Sequence, residues 1–288
     1  MRASTNSLTI FGRGWSIVYE LNISPQRKAY LKSLKKNRII VRTAQIVLPI
    51  LFFGLWELAA RRGWIDPFIM SSPCRIIGTF KNLYISGDLF RHLGVSCLET
   101  VIGFTLGTLT GALIATALWW SPTLSKISDP YLVVLNSLPK TALGPIFIVW
   151  IGAGPASIIA MTLAISLIVT ILEVHNGFVA TDRGKILLMR SFGASKAQIL
   201  FKLVIPANIT TLVNALKVNV GLSWVGVIMG EFLVSKEGLG YLIVYGSQVF
   251  KMDLVMATVI LLIIAAAVMY QCVLLLERAL KKHLGVNV

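Results

Sequence analysis

Residues 182–206, DRGKILLMRSFGASKAQILFKLVIP, break into the strongly apolar second half of the chain with a polar, basic segment. The segment reads as helix, tight turn, helix. Residues 185–192 contain no breaker and carry Ile186, Leu187, Leu188 and Met189. Gly193 suits the position after a helix end, where the backbone turns left-handed. Ser195 suits an N-cap, and Gln198 three residues later completes a capping box. A second short helix passes through Ile199, Leu200, Leu203 and Val204, and Pro206 fits the first turn of the helix that follows. Two short amphipathic helices between membrane spans fit a docking surface for a partner, or a loop lying on the lipid.

The rest of the composition places this segment in a membrane protein. The 288 residues are 56% hydrophobic and 14% charged, with a mean hydropathy of +0.79. A soluble domain carries about a quarter charged residues. The net charge of +15 would suit a nucleic-acid binder, but the hydropathy excludes that class. The chain's surroundings are the lipid bilayer, and its Lys and Arg residues set topology. Cys74, Cys97 and Cys272 lie too far apart for a metal site or disulfide framework. No cleavable signal peptide is evident, because the apolar patch at residues 8–11 is short and Arg13 follows it.

Taken in order, residues 1–38 form a basic cytoplasmic tail with one short helix at 26–36, held near anionic lipid. Residues 39–60 are long enough for a first transmembrane helix. Residues 61–92 form an extracytoplasmic segment with an amphipathic stretch at 74–85, led by Ser71, Ser72 and Pro73. Residues 93–277 hold five further spans, expected at 95–120, 131–151, 155–172, 209–229 and 254–276, with the loop 182–206 between the fourth and fifth. Residues 278–288 form a second cytoplasmic tail. Gly103, Gly107 and Gly111 recur every four residues, a ridge that admits another helix closely. Pro139, Gly144 and Pro145 interrupt the third span, as in broken helices that line transport pathways or in a simple proline kink. Six spans put both termini and the loop on one side. The loop's Arg183, Lys185, Arg190, Lys196 and Lys202 assign that side to the cytoplasm. Residues 61–92 also carry five basic residues, an imperfect fit to an exterior loop.

Ionisable groups within spans are functional suspects, since charge in hydrocarbon is costly. The candidates are Glu99, Lys140, Glu173, Lys217 and Glu231. Glu99 is about a turn into its span and can also reach the interface. Lys140 sits at the break and could attract an anion. Lys217, midway along the fifth span, is expected to face protein or water and to pair with an acid. His175 closes the fourth span, where a lone histidine is more often interfacial than a ligand. No zinc-protease motif, nucleophile elbow or Walker A motif is present; Gly184 and Lys185 are followed by Ile186 rather than Ser or Thr. The chain is therefore not expected to be an enzyme.

Several segments resemble the permease subunits of ABC importers. Gly193, nine residues, then Leu203-Val204-Ile205-Pro206 resembles the glycine-to-proline part of their cytoplasmic coupling loop. Ser191-Phe192-Gly193-Ala194-Ser195 is similar to the nitrate/sulfonate/taurine branch. The family's Glu-Ala-Ala positions read Leu187-Leu188-Met189 here, without the acidic residue. The run 135–145 and Trp150-Ile151-Gly152-Ala153-Gly154 resemble the family's third span. Glu231-Phe232-Leu233 and the run 237–243 resemble the end of its fifth span and the short helix after it.

The resemblance implies an all-α polytopic membrane protein with six transmembrane helices, in the type I importer permease fold with cytoplasmic coupling helices. It implies a homodimeric pore in the bacterial plasma membrane, two cytoplasmic ATPase subunits that bind ATP and Mg, and an extracytoplasmic substrate-binding protein. The chain itself would hold no cofactor and no metal. Arg190, Ser191, Phe192, Gly193, Ala194, Ser195, Gln198 and Pro206 would couple to the ATPase. Asn136, Pro139, Lys140, Lys217 and Glu231 would serve the translocation pathway. The solute would be a small anion such as nitrate, a sulfonate or taurine, or a thiamine or pyrimidine precursor. The alternative is a transporter or channel that works alone on an ion gradient.

Overall fold

The computed structural model describes residues 25–283. The chain divides into two compact units, residues 1–65 and 66–288. The first holds one long helix, α1 (Pro25–Arg61), whose segment Tyr30–Arg61 is apolar enough to cross a membrane. It runs without interruption through the basic stretch, where the sequence suggests a separate short helix at 26–36. Lys and Arg are good helix formers and no Gly or Pro stands between Lys36 and Ile39, so nothing stops it. Residues 1–24 of the expected tail lie outside the described residues, as do 284–288.

The second unit opens with α2 (Pro67–Met70) and α3 (Pro73–Ser86), followed by α4 (Asp88–Trp120) and α5 (Pro122–Ser137). A 3-10 turn at Lys140–Leu143 leads into α6 (Gly144–Ile151) and α7 (Pro155–Val179). The loop holds α8 (Arg183–Ser191), α9 (Lys196–Ile199), a π-helical turn at Leu200–Val204 and α10 (Ile205–Ala207). The unit closes with α11 (Ile209–Val234), α12 (Leu239–Gln248) and α13 (Met252–His283). No strand occurs among the described residues. Among the described residues five helices are long and apolar enough to span: α1, α4, α7, α11 and α13.

The third expected span, 131–151, is not one helix. It becomes α5 and the segment Lys140–Ile151, bent by 88° at a short break. Leu138 is extended at φ −67°, ψ 140° because the following proline excludes the α region. With this bent pair taken as one span, the total reaches six. The other helices overrun the expected spans at their ends. α4 starts already at Asp88, α7 runs on to Val179, α11 to Val234 and α13 to His283.

The core of this unit is organised around α7, which lies between α4 and α11. Cβ atoms added at Gly103, Gly107 and Gly111 of α4 would lie 2.5, 2.5 and 2.8 Å from Thr162 Cγ2, Ser166 Oγ and Thr170 Cβ of α7. Both rows step by four residues, so the glycine ridge meets a matching row of small polar residues. On the other flank, a Cβ at Gly226 of α11 would lie 2.5 Å from Thr162 Cα, and one at Gly230 would lie 2.9 Å from Ile158 Cγ2. Thr162 is fully buried between the two helices, its hydroxyl donating to the Ile158 carbonyl at 2.9 Å. The outward faces are apolar instead: Leu109, Leu113, Ile263, Ile264 and Val268 are exposed, as a lipid-facing surface requires.

Residues 66–86 are pinned to α13. Ser71 is fully buried with φ 58° and ψ −170°, a conformation that is almost exclusive to glycine and costs about 1–3 kcal/mol. Its hydroxyl donates to Asp253 Oδ1 at 2.7 Å, and Arg75 holds Oδ2 of the same carboxylate through Nε and Nη2 at 3.0 and 2.7 Å. The strained turn thus places Ser71 where it completes this cluster.

The packing predicts opposite outcomes for two glycines of one helix. Gly226→Ala drives a methyl into backbone and should destabilise the protein by about 1–3 kcal/mol. Gly221→Ala meets nothing within 4 Å and should be neutral or gain up to about 1 kcal/mol of helix propensity. Denaturant unfolding in detergent measures both; equal effects would refute the close approach.

Candidate coupling loop and transport path

The loop is built by local capping. Asp182 starts α8, its carboxylate accepting from the Gly184 amide at 2.7 Å. The helix ends where Gly193 takes φ +75°, with the Gly193 amide donating to Arg190 O at 2.9 Å and the Ala194 amide to Met189 O at 3.0 Å. Ser195 then caps α9. Its hydroxyl accepts from the Gln198 amide at 3.3 Å, and the Gln198 side chain accepts from the Ser195 amide at 2.8 Å. Pro206 has no amide proton and its ring crowds the carbonyl four residues earlier. The π turn just before it opens the helix there, with the Ile205 amide reaching Leu200 O.

The loop is fixed at its base and exposed at its tip. Ile199, Leu200 and Val204 are buried with Ala115 of α4, Val174 and Phe178 of α7, and Ala215 of α11. Asn208 joins the two ends, its side-chain amide donating to Thr181 Oγ1 at 2.7 Å and to Val204 O at 2.8 Å. Gly177 and Thr211 close the helices beside it, a Cβ at Gly177 lying 2.7 Å from Thr211 Cγ2. At the tip, Leu187, Leu188 and Phe192 are exposed, Phe192 at 81%, beside exposed Lys185 and Arg190. Arg190, Ser191, Phe192, Gly193, Ser195 and Gln198 are all exposed, and Ala194 is half-buried. Pro206 lies on the exposed side of the base.

The residues singled out for a transport path are not gathered in one place. Asn136 and Pro139 flank the break after α5, and Lys140 Nζ folds back onto Asn136 O at 3.1 Å and Asn136 Oδ1 at 3.2 Å. Lys217 pairs with Glu277 of α13 at 2.7 Å, with side chains 21% and 12% exposed. This acid is the kind of partner expected for it. Glu231 is 1% exposed at the opposite end of α11. There it satisfies the start of α12. The Gly240 amide donates to Glu231 Oε2, the Leu239 amide to Ser96 Oγ at 2.7 Å, and the Gly238 amide to His92 Nδ1 at 3.0 Å. Ser96 in turn donates to Glu231 Oε1. Three amides that a helix start leaves without partners are thus bound by side chains of α4 and α11. Glu99, 5% exposed, lies beside Glu231 with Oε2 unpartnered. It borders a cleft of about 620 Å³ between α4, the start of α7 and residues 234–237.

Residues 105–286 match the family described as binding-protein-dependent transport system inner membrane component. The chain belongs to this family.

Its members most similar to the chain include the putative aliphatic sulfonates transport permease protein SsuC of Bacillus subtilis. That protein is 27% identical, with 82% of this chain and 86% of the relative covered. The formylaminopyrimidine transport permease protein ThiX of Halalkalibacterium halodurans is 30% identical over 69% of this chain and 81% of its own length. A bacterial ABC transporter that imports alginate shares the fold, at a TM-score of 0.62 over 93% of this chain and 99% of its own, with 12% identity. The chain is therefore a multi-pass permease of an ABC importer, and the family works with an ATPase and a substrate-binding protein.

Thr181, Asn208, Ser96 and His92 are the members of these clusters that sequence reading misses. An asparagine two residues after Pro206, at a helix start, is the one local hint. The others reveal themselves only through partners far away in the chain. The Lys217–Glu277 contact makes a measurable expectation. In a double-mutant cycle of Lys217→Met and Glu277→Gln, unfolding in detergent should show an interaction energy of about 0.5–3 kcal/mol. Additivity of the two effects would remove the pair as a stabilising contact.

Proposed function

We propose that two copies of this chain form the conduit of an ATP-driven importer, with the loop 182–206 as the lever that joins it to separate ATPase subunits. The observation that carries the reading is the tip itself. Leu187, Leu188 and Phe192 are held away from the bundle on a rigid, doubly capped elbow, and exposed apolar groups rimmed by charge mark a protein contact. In this reading the tip enters a cleft of the ATPase. The buried residues Ile199, Leu200 and Val204, together with the Asn208–Thr181 staple, pass its displacement to α7 and α11. ATP and Mg belong to the partner, and each ATPase of a pair would receive one loop.

The loop and both termini face the cytoplasm of a bacterial cell, on the strength of the loop's basic residues. An extracytoplasmic binding protein delivers the solute. The relatives' names support a small solute, either an anion of the sulfonate or taurine kind or a pyrimidine related to thiamine synthesis. Asn136, Pro139 and Lys140, at the break, are the groups proposed to meet it. Lys217 and Glu231 enter the path through the helices they tie together, α11 to α13 and α4 to α12.

Gly193→Val tests the lever. The left-handed turn at φ +75° costs a β-branched residue about 1–2 kcal/mol, so the elbow should open. In vesicles carrying the whole complex, ATP hydrolysis should then persist or the ATPase be lost, while uptake of solute falls severalfold. Full uptake by this variant would end the lever reading. Uptake by the wild-type chain without any ATPase would favour a gradient-driven transporter.

A further inference from the structure

Between the coupling loop and the turn that joins α4 to α5 lies a second cleft, of about 400 Å³, which shares Arg190 with the coupling surface. Lys126 of α5, Arg183 and Arg190 of α8 and Lys196 of α9 line it. None of its lining residues is acidic, and among the described residues none of these cations is paired with a carboxylate. Lys196 is oriented locally, donating to Trp120 O with its ammonium 5.6 Å from the Trp120 ring centre. Of the acids nearest these cations in sequence, Asp182 caps α8, and Asp129 is exposed a turn further along α5.

The wall also holds a buried imidazole. His175 of α7 is 6% exposed, lines the cleft and bonds Ser125 Oγ through Nε2 at 2.9 Å. Its Nδ1 is buried with no partner. In the tautomer whose Nε2 accepts from the serine hydroxyl, Nδ1 is the donor. A buried ring nitrogen without a partner costs about 1–3 kcal/mol, which an anion that reached it would recover. The inner wall is apolar, formed by the buried side chains of Leu118, Phe178 and Ile199.

The geometry points to a binding site for a phosphate-bearing anion at the loop end of the bundle, between His175 and the cations of α5, α8 and α9. The source favoured by the surroundings is the headgroup of an anionic phospholipid. The cleft opens at the ends of two membrane-spanning helices, Trp119 lines it and Trp120 is adjacent, and tryptophans favour the headgroup level. Basic pockets between spans at that level suit such headgroups, and the apolar wall accommodates the first part of an acyl chain. A lipid held there ties α8 and α9 to the α4–α5 turn, so membrane charge would set how firmly the coupling loop is seated.

Native mass spectrometry of the full chain in nonionic detergent, with added dioleoylphosphatidylglycerol or dioleoylphosphatidylcholine, tests the site. The wild type should retain the anionic lipid in preference to the neutral one. Lys126→Gln combined with Arg183→Gln should lower that retention roughly tenfold, and Lys126→Gln alone, at an exposed position, should lower it in part without loss of fold. If lipid retention is equal in all variants but the wild type binds inorganic phosphate and the double variant does not, the site stands and its ligand is soluble. If neither ligand distinguishes wild type from variants, the proposal is overturned. It is overturned too if the double variant loses only its binding to the ATPase subunit, which assigns these cations to a protein interface.

Discussion

Everything in the larger unit depends on how closely α7 can be approached from two sides. Lipid offers no hydrophobic drive for helices to associate, so packing has to hold them together. Packing at this distance is available only where one partner lacks a side chain. Gly103, Gly107 and Gly111 provide that on α4, and Gly226 and Gly230 on α11. Most of the facing residues are small and carry hydroxyls, and two of these turn back to their own backbone: Thr162 to Ile158 O and Thr170 to Ser166 O. The tightness of the two seams that α7 makes therefore comes from dispersion.

Sites for function sit at the two ends of this trio. At one end α7 and α11 are joined by the loop, whose Ile199, Leu200 and Val204 pack between them. At the other, α4 and α11 grip the start of α12. The loop's shape is locally encoded, by Asp182, Gly193, Ser195 and Gln198, while its attachment is not, since Thr181 follows the end of α7 and Asn208 precedes the start of α11, 27 residues on. That division lets the tip carry exposed apolar residues at no cost to the elbow's geometry, because none of them takes part in holding it.

The same division explains what could be read in the sequence. Caps and the glycine turn act within four residues, so Gly193 and the Ser195–Gln198 box were visible as patterns, as was the four-residue step of the α4 glycines. The break near Pro139 was visible, but its 88° bend was not, because a proline fixes where a helix stops and neighbours fix where the next one points. Lys217 invited an acidic partner, yet nothing local nominated Glu277 sixty residues on. Glu231 stood out as a charge in a span. Its engagement with Gly240, and the parts played by Ser96 and His92, come from contacts between distant segments. Helix ends misjudged at α4, α7 and α13 share one cause: hydropathy marks where lipid stops, and a helix continues past that level as long as its backbone bonds do.

The grip on α12 has a mechanical consequence. Separating α4 from α11 at that end would break the Ser96–Glu231 bond and strand either the Gly238 and Leu239 amides or the Gly240 amide, each about 1–3 kcal/mol to leave unbound. Their ends must then travel together as a single block, with α12 riding on it. Any scissoring of this helix pair has its pivot there, and the wide swing belongs to the far tips, where the chain turns at Ser121 and Asn208.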